Sequence, residues 1–447
     1  MVKFKVTIVG AGLAGSEAAL VLSKFNDVQI KLIEMRPKQM TEVHKTGDCA
    51  ELVCSNSFKS LKPDSAAGML KYELEALASP VYDCAIKNKI EAGNALAVDR
   101  NKFSKSVSEK IASQKNIELV VDEFVDIKSE SKNCDALILC TGPLTSNKLA
   151  DNLQGLTGDD ELAFYDAAAP IIMDDSIDKS IVFSQDRYDS ENVGAYLNAP
   201  MTKDEYENFI NELLDAECVI KKDFESKDLF QACQPVEEVA RSGFDAPRFG
   251  AMKPIGLSDP RTGKRPYAVV QLRAENSNKT AWNLVGFQTN LTFSEQERVF
   301  RMIPGLENAN FARFGVMHRN TFINSPKLLD KDLKLKDNIY VAGQLSGTEG
   351  YLEAVRSGHH AAISILANLL GEQAPEVPND SVFGALIDYA TSEETINYQP
   401  MHVNFGILPP LEKQIKNKRQ RYEEFAKRGK IAIDSYAKKV NELWKKI

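Results

Sequence analysis

The hydrophobic pattern at the start of the chain predicts a strand, a turn, a helix and a second strand. Residues 6–9 form a short apolar run that ends at Gly10, and residues 16–24 have the pattern of a helix. Residues 28–33 then alternate between apolar and polar side chains, and Glu34 ends this run. A βαβ unit of about thirty residues is typical of the first half of a nucleotide-binding fold.

Later parts of the chain return to this pattern after a long interruption. Apolar runs at 117–121, 135–140 and 338–343 predict strands of the same sheet, and a helix is expected over 351–370. Between them, charged stretches alternate with β-rich runs such as 267–272 and 282–285. We therefore predict an α/β protein with one Rossmann-like domain interrupted by an α+β insertion domain. The predicted divisions are 1–145 and 331–447, with a basic helical tail, for the Rossmann-like domain, and 146–330 for the insertion.

The turn after the first strand has the spacing G-x-G-x-x-G, a fingerprint of dinucleotide binding. Its residues are Gly10, Ala11, Gly12, Leu13, Ala14 and Gly15. The first glycine permits the tight turn, the second lets the backbone approach a pyrophosphate, and the third permits close packing of helix and strand. Glu34, about twenty residues further on, is placed to accept hydrogen bonds from ribose hydroxyls.

The late strand, which ends at Gly343 and Gln344, favours FAD over NAD as the tightly bound cofactor. A returning C-terminal segment is the layout of an FAD domain of the glutathione-reductase type, and an NAD-dependent dehydrogenase does not need one. The glycines of residues 343–350 can bring backbone N–H groups against the flavin or its phosphates. The sequence contains no second G-x-G-x-x-G, so NADH or NADPH would dock transiently as a reductant.

Composition and charge narrow the class of protein further. Of 447 residues, 43% are hydrophobic and 26% are charged, which is typical of a cytosolic enzyme, and no apolar run reaches the roughly 18 residues of a membrane span. We therefore expect no membrane association, no secretory signal and a cytoplasmic location. The seven cysteines are scattered without a C-x-x-C pair, which fits neither a disulfide framework nor a zinc site, and no metal is expected.

Two basic segments stand out against the net charge of −8. Residues 411–447 contain twelve Lys and Arg against five Asp and Glu, and residues 241–273 contain seven against two. An acidic protein with such patches can bind an anionic polymer at one face, although solvated surface is the alternative explanation.

Longer motifs spread over the whole chain have the sequences of a known family. They occupy residues 51–58, 233–235, 248–254, 259–263, 265–273, 285–290, 315–322, 399–401 and 403–406. In these motifs the chain resembles the folate- and FAD-dependent tRNA uracil-5-methyltransferases, which are related to the tRNA-modifying GidA flavoproteins. It departs from them at residues 347–354, where Thr348, Leu352 and Ala354 replace the family's usual Val, Val and Ser, and at Asn94, where the family usually has Gly. The cysteines, the turn glycines and His318 are kept, so the departures affect the chemistry little, whereas a related branch that methylates ribosomal RNA leaves the choice of RNA more open.

The resemblance implies formation of 5-methyluridine in RNA without S-adenosylmethionine. The methyl carbon would come from methylenetetrahydrofolate through FAD, and NADH or NADPH would supply the reducing equivalents. In most of the family the target is the T-loop uridine of tRNA. Two alternatives stay open, namely the same chemistry on 23S ribosomal RNA and a GidA-like flavoprotein that modifies tRNA without this methyl transfer. No obligate protein partner is inferred.

Methylation at carbon 5 of uracil requires a thiolate at carbon 6 and a second group that removes the carbon-5 proton. The resemblance points to Cys54 and Cys233. Because Cys233 precedes a basic stretch, and nearby cations favour the thiolate, we assign it the attack on uracil. Cys54 is then the acid/base group or a thiol on the flavin side, and the two roles could be exchanged. The other five cysteines are expected to be small buried hydrophobic residues.

The folate needs a flat partner opposite the flavin. His318 and Tyr351 are the candidates for this stacking within the family motifs, although a lone histidine is more often structural. Arg319 and Lys253 are candidates to pair with folate glutamate or RNA phosphate, with solvated cations as the alternative.

Overall fold

A computed structural model describes residues 3–41, 43–158, 162–167, 169–187, 194–219, 234–315, 317–395 and 398–446. For residues 162–167 and 317–320 the description covers the backbone alone. The helices, in chain order, are α1 (Leu13–Leu22), α2 (Ala66–Ala76), α3 (Pro80–Lys87), α4 (Arg100–Ala112), α5 (Ile127–Ser131), α6 (Asn147–Thr157), α7 (Lys203–Asp215), α8 (Val236–Ser242), α9 (Phe293–Phe300), α10 (Ser325–Leu328), α11 (Tyr351–Leu369), α12 (Val382–Thr391) and α13 (Lys418–Trp444).

The strands form four sheets within these residues. They are β1 (Phe4–Val9), β2 (Val28–Glu34), β3 (Ser57–Ser60), β4 (Lys89–Ile90), β5 (Ala95–Val98), β6 (Ile117–Val121), β7 (Ala136–Leu139), β8 (Leu162–Ala167), β9 (Ile171–Met173), β10 (Phe183–Ser184), β11 (Tyr196–Met201), β12 (Ala268–Ala274), β13 (Ala281–Leu284), β14 (Phe311–Arg313), β15 (Met317–Phe322), β16 (Lys334–Lys336) and β17 (Ile339–Val341).

The first large sheet is the nucleotide-binding sheet predicted from the sequence. Its order is β16-β17-β7-β1-β2-β6, and all neighbours are parallel except β16 and β17. The central strands are apolar and buried because a parallel sheet is covered on both faces. The predicted α/β class, with an FAD-type Rossmann-like domain, is therefore confirmed.

The first helix begins at Leu13, three residues before the predicted start of the helix. Gly12 is its N-cap in extended conformation, so the last three residues of the glycine motif already form the first helical turn. This arrangement directs the backbone N–H groups of the first turn toward the end of β1.

Helices α1 and α11 pack directly against each other, with their backbones in close contact. A Cβ atom on Gly358 of α11 would lie 2.1 Å from the carbonyl oxygen of Ala14 on α1, so a side chain at position 358 would separate the helices. A Cβ on Gly343 would lie 3.0 Å from the Cβ of Ala14. The packing therefore brings the turn after β17 against the glycine motif, from which it is more than 300 residues distant in the chain.

The second large sheet has the order β10-β11-β12-β13-β9-β14, and all its pairs are antiparallel. It carries a second apolar core that extends from Ile172 to Ala309. Helix α6 lies within the range predicted for the insertion, but it packs into the first core through Leu149 and Leu153. Strands β8 and β15 form a separate antiparallel pair. Among the described residues, no helix combines the length and the apolar composition that a bilayer crossing needs.

Candidate functional site

A cleft of about 1010 Å³, including its open mouth, lies where the parallel strands β1, β2 and β7 end. The carboxyl ends of parallel strands are the usual place for ligands in this class of fold. The predicted cofactor residues that line the cleft are Gly10, Gly12, Leu13, Ala14, Glu34, Gly343 and Gln344.

The three glycines of the motif have different surroundings. A Cβ on Gly10, whose φ is +94°, would lie 2.6 Å from the carbonyl oxygen of Cys140. A Cβ on Gly15 would lie 1.9 Å from the carbonyl oxygen of Gly10. A Cβ on Gly12 would meet no atom within 4 Å. Gly10 and Gly15 are therefore required by the fold itself, whereas Gly12 leaves a space on the cleft wall that fits a pyrophosphate at the start of α1.

The carboxylate of Glu34 is held at the end of β2 by hydrogen bonds on both oxygens. The backbone N–H of Ala11 donates to Oε2 at 2.9 Å, and the Nε of Arg36 donates to Oε1 at 2.9 Å. Burial acts to raise the pKa of Glu34, but the hydrogen bonds and charge of Arg36 outweigh it and hold the pKa below its usual value. The ionised carboxylate is thus available beside the motif, which fits a ribose hydroxyl donor.

Three further polar residues of the cleft were not predicted from the sequence. The Nη1 of Arg36 lies 3.1 Å from Oε2 of Glu51, and Glu51 also accepts a hydrogen bond from Thr46 Oγ1 at 2.9 Å. Burial, and then the charge of Arg36, lower the pKa of His44 to about 4, so its imidazole is neutral at pH 7. Glu51 begins the motif at 51–58, which was the available signal for this cluster.

Tyr351, which lines the cleft, contacts the segment of Cys54. The hydroxyl oxygen of Tyr351 accepts hydrogen bonds from the backbone N–H groups of Cys54 at 2.9 Å and Ser55 at 3.0 Å. Burial, and then the charge of Cys54, raise the pKa of Tyr351, so the phenol remains protonated. Tyr351 also lines a neighbouring cavity of about 1000 Å³ whose wall includes Cys54. The structure therefore brings one predicted thiol and one predicted aromatic residue together.

Asn56 holds the segment that carries Cys54 between the small three-stranded sheet and the second large sheet. This fully buried side chain donates to the carbonyl oxygens of Val98 at 3.0 Å and Ala274 at 2.9 Å, and its Oδ1 accepts from Arg273 Nε at 2.8 Å. Because these partners belong to β5 and β12, the amide fixes the segment of Cys54 where these two strands approach each other.

Two arginines place positive charge beside Cys54. Arg100 pairs with Glu275 at 2.9 Å and donates to the carbonyl oxygen of Leu52. Burial, and then the charge of Arg100, lower the pKa of Arg313. The buried Nη2 of Arg313 has no hydrogen-bond partner within the described part of the chain. This cluster was not predicted, because the spacing of its members along the sequence does not indicate that they lie together.

Strand β15 carries His318 and Arg319 to the rim of the cleft. Its backbone pairs with β8, and the next residue, Ile323, donates from its N–H to the carbonyl oxygen of Leu345 at 3.0 Å. This bond fixes the end of β15 against the turn after β17. The side chains of His318 and Arg319 lie outside the described part of the structure.

Cys233 also lies outside the described residues, but both flanks of its segment are anchored. The N–H of Val219 donates to Asn290 O at 2.8 Å, and the N–H of Val236 donates to Gln288 O at 2.7 Å. Both ends of the segment that contains Cys233 are therefore attached to one short stretch of chain.

Lys253 lies in the insertion, away from the residues that line the two cavities described above. It is half-buried, and its carbonyl oxygen accepts a hydrogen bond from Arg187 Nη2 at 2.7 Å. The structure does not bring it together with Cys54 and Tyr351.

Four of the remaining cysteines have the character of core thiols. Burial raises the pKa of Cys49 to about 11 and raises the pKa of Cys140, Cys134 and Cys218 as well. A thiol with a raised pKa stays protonated near pH 7 and is a poor nucleophile.

The sequence has relatives over nearly its whole length. Residues 5–373 match the family described as glucose inhibited division protein A. The methylenetetrahydrofolate–tRNA-(uracil-5-)-methyltransferase TrmFO of Fusobacterium nucleatum is 48% identical over 427 residues, which are 95% of this chain and 97% of that protein. The TrmFO of Acetivibrio thermocellus is 47% identical over 97% of this chain and 99% of its own length. That of Bacillus velezensis is 45% identical, with the same shares covered.

A solved structure shares the fold. GidA of Aquifex aeolicus superposes with a TM-score of 0.68 and covers 100% of this chain and 76% of its own. Sequence identity is 16%, so this likeness concerns the architecture alone.

Proposed function

The chain belongs to the family of the TrmFO methyltransferases, within the wider glucose inhibited division protein A family, and on this premise we propose that it methylates carbon 5 of a uridine in tRNA. Methylenetetrahydrofolate would be the carbon donor, FAD the cofactor and NADH or NADPH the reductant. The observation that carries this proposal is the contact between Cys54 and Tyr351, because Tyr351 lines both the cleft with the FAD-type glycine motif and the neighbouring cavity that Cys54 lines. A tRNA substrate would place the enzyme in the cytoplasm.

FAD fits the cleft through four groups of this chain. We assign the pyrophosphate to the backbone beside Gly12, where a side chain would fill the space, and the ribose to the carboxylate of Glu34. Gly343 and Gln344 also line the cleft and are assigned to the flavin end. When bound, FAD supplies the redox chemistry that completes the methyl group.

The two thiols divide the work on the uracil. We assign to Cys233 the addition of its thiolate to carbon 6, which makes carbon 5 nucleophilic toward the methylene carbon. Cys54 then accepts the proton from carbon 5 as the bond between the methylene carbon and its carrier breaks, which leaves an exocyclic methylene group. A hydride, for which NADH or NADPH would supply the electrons through the cofactor, would add to this methylene, and departure of the Cys233 thiolate restores the ring double bond. The fixed backbone of Cys54, between Tyr351 and Asn56, supports a group that must be held precisely at the reacting end.

The folate would lie beside the flavin. Tyr351 separates the cleft from the neighbouring cavity, and β15 brings the backbone of His318 to the same rim, so we propose these two rings as stacking partners of the pterin. Arg319 is assigned to the folate glutamate or an RNA phosphate. Lys253, which lies apart from both cavities, is assigned to RNA phosphate.

The relatives favour tRNA over the two alternatives. Those reported above are named for tRNA, and they are 45–48% identical over nearly their whole length, compared with 16% for the GidA structure. Methylation of ribosomal RNA and a GidA-like activity without methyl transfer are both less favoured.

The deciding experiment supplies isotopically labelled methyl donors to the purified flavoprotein with unmodified tRNA and ribosomal RNA. We expect label from methylenetetrahydrofolate in 5-methyluridine of tRNA when NADH or NADPH is present, and none from S-adenosylmethionine. The Cys233→Ala variant, with its flavin bound, is the matched control and should transfer no label. Label from S-adenosylmethionine alone would contradict the mechanism, and label in ribosomal RNA alone would contradict the substrate.

A further inference from the structure

An aromatic ring projects into solvent from the basic segment 241–273. Phe249 ends the short 3₁₀ helix Ala246–Phe249 and is 79% exposed, more than any other large hydrophobic residue in the described part of the chain. A ring this exposed contributes little to the core. Single exposed hydrophobic residues need no explanation, so its surroundings decide whether it has a function.

The turn that presents Phe249 is rigid. The guanidinium of the preceding residue, Arg248, lies 3.6 Å from the ring centroid of Tyr267, and its Nε donates to the carbonyl oxygen of Tyr267 at 3.1 Å. Met252 is fully buried, and its carbonyl oxygen accepts a hydrogen bond from the N–H of Val269 at 3.1 Å. The turn is therefore fixed to β12 on both sides of Phe249, and the ring is held outward.

Free positive charge accompanies this ring. Lys264 and Arg265 are exposed, and neither side chain has an ion pair or hydrogen bond among the described residues. Arg265 lies two residues before Tyr267, to which the turn is bonded. The nearby carboxylate of Asp259 is already paired with Arg261 at 2.8 Å. The segment thus offers two cations without an ion pair among the described residues, close in sequence to the residue that anchors the turn of Phe249.

The same turn is connected to the segment of Cys233. A Cβ on Gly286 would lie 2.8 Å from the Cβ of Ala251, so the turn packs directly on the chain that leads to Gln288. Gln288 in turn binds the N–H of Val236, three residues after Cys233. A polymer on this surface would therefore be near the segment to which we assign the attacking thiol.

We propose that Phe249, Lys264 and Arg265 form a docking surface for the RNA substrate, in which Phe249 stacks on an unpaired base and the two cations contact phosphates. This inference rests on the proposed function, because it takes RNA as the substrate. An aromatic face beside cations matches single-stranded nucleic acid, which offers bases with flat faces and a phosphate at every step. An apolar protein partner would not require the free charges.

The first test compares the Kd of unmodified tRNA for Phe249 variants of the full-length flavoprotein. Phe249→Ala should bind about 5- to 150-fold more weakly, which is the range for loss of one base–aromatic stack. Phe249→Trp should bind as tightly as the wild type, and Phe249→Leu, which stays apolar without a ring face, should be as weak as the alanine variant. Leu119→Ala, on the exposed edge strand β6, is the control for loss of an exposed apolar side chain.

The second test measures the dependence of binding on salt. The double variant Lys264→Gln/Arg265→Gln should flatten the slope of log K against log salt by about 0.7–0.9 for each lost phosphate contact. The control Lys115→Gln/Lys128→Gln removes the same charge from exposed positions of the predicted Rossmann-like domain. It should leave the slope unchanged.

The outcomes separate this inference from the proposed function. If the wild type methylates tRNA but Phe249→Ala and Phe249→Leu bind it as the wild type does, the docking surface is wrong and the function stands. If leucine restores binding that alanine loses, apolar contact replaces stacking and the inference is likewise overturned. If the wild type binds tRNA through Phe249 but transfers no methyl group, the docking surface stands and the proposed function fails. Reduction of the bound flavin by NADPH, measured without RNA, should be equal in all variants and shows that each is folded.

Discussion

The two glycines Gly12 and Gly15 allow a sharp test of where the cofactor binds, because the same substitution should act on different properties. In Gly15→Val the new Cβ would lie 1.9 Å from the carbonyl oxygen of Gly10, so the backbone of the motif must move. Overpacking of this kind costs about 1–3 kcal/mol or more. In Gly12→Val the Cβ meets no protein atom within 4 Å, and φ is −69°, which any residue adopts. The apoprotein should therefore change by only about 0.5 kcal/mol.

FAD affinity, in contrast to apoprotein stability, should be strongly reduced by the substitution at Gly12. The valine side chain would occupy the space that we assign to the pyrophosphate, so FAD affinity should fall at least tenfold, which is about 1.4 kcal/mol. Flavin absorbance per protein and titration of apoprotein with FAD measure this loss. Thermal unfolding of the apoproteins measures the loss of stability, because each kcal/mol lowers Tm by roughly 2–4 °C in a domain of this size.

The expected result is a folded, colourless Gly12→Val protein and a Gly15→Val protein of reduced stability. Full flavin occupancy in Gly12→Val would show that the pyrophosphate does not lie at this turn. Equal destabilisation of the two apoproteins would show that the space beside Gly12 is not free.

Cys233→Ala should abolish methylation while flavin content stays unchanged, because the nucleophile is lost; RNA with 5-fluorouridine should form a covalent complex with the wild type and not with this variant. If Cys54→Ala alone prevents that complex, the two thiols exchange roles. His318→Ala should raise the KM for methylenetetrahydrofolate several-fold, since stacking is worth roughly 0.5–1.5 kcal/mol, and unchanged kinetics would return His318 to a structural role. The pKa of His44 falls from 6.5 in the unfolded chain to about 4 in the fold, so the unfolded state binds the extra proton first and stability should decrease as pH falls from 6.5 toward 4, by up to about 3 kcal/mol. His44→Gln should flatten this dependence in denaturant unfolding at each pH, and an unchanged profile would contradict the burial of a neutral imidazole.

The parts of the proposed site that lie within one βαβ unit can be predicted from local sequence. The spacing from Gly10 to Glu34 dictates a turn, a helix and a strand end whose relative positions follow from local backbone geometry. Strand β6 also has the predicted bounds, because an apolar run is a local feature of the sequence. The cofactor cleft could thus be assigned from residues that are neighbours in the chain, and the structure places Glu34 2.9 Å from the N–H of Ala11.

Which distant residues lie together at the proposed reacting end depends on how the elements pack. Cys54 and Tyr351 were both singled out by motifs, but their contact spans 297 positions and depends on the close packing of α1 on α11. Arg100 and Glu275 are 175 positions apart, and their pairing joins the start of α4 to the end of β12. Periodicity reports which face of an element is buried and not what covers it, so the charges around Cys54 become visible only when the two units pack together.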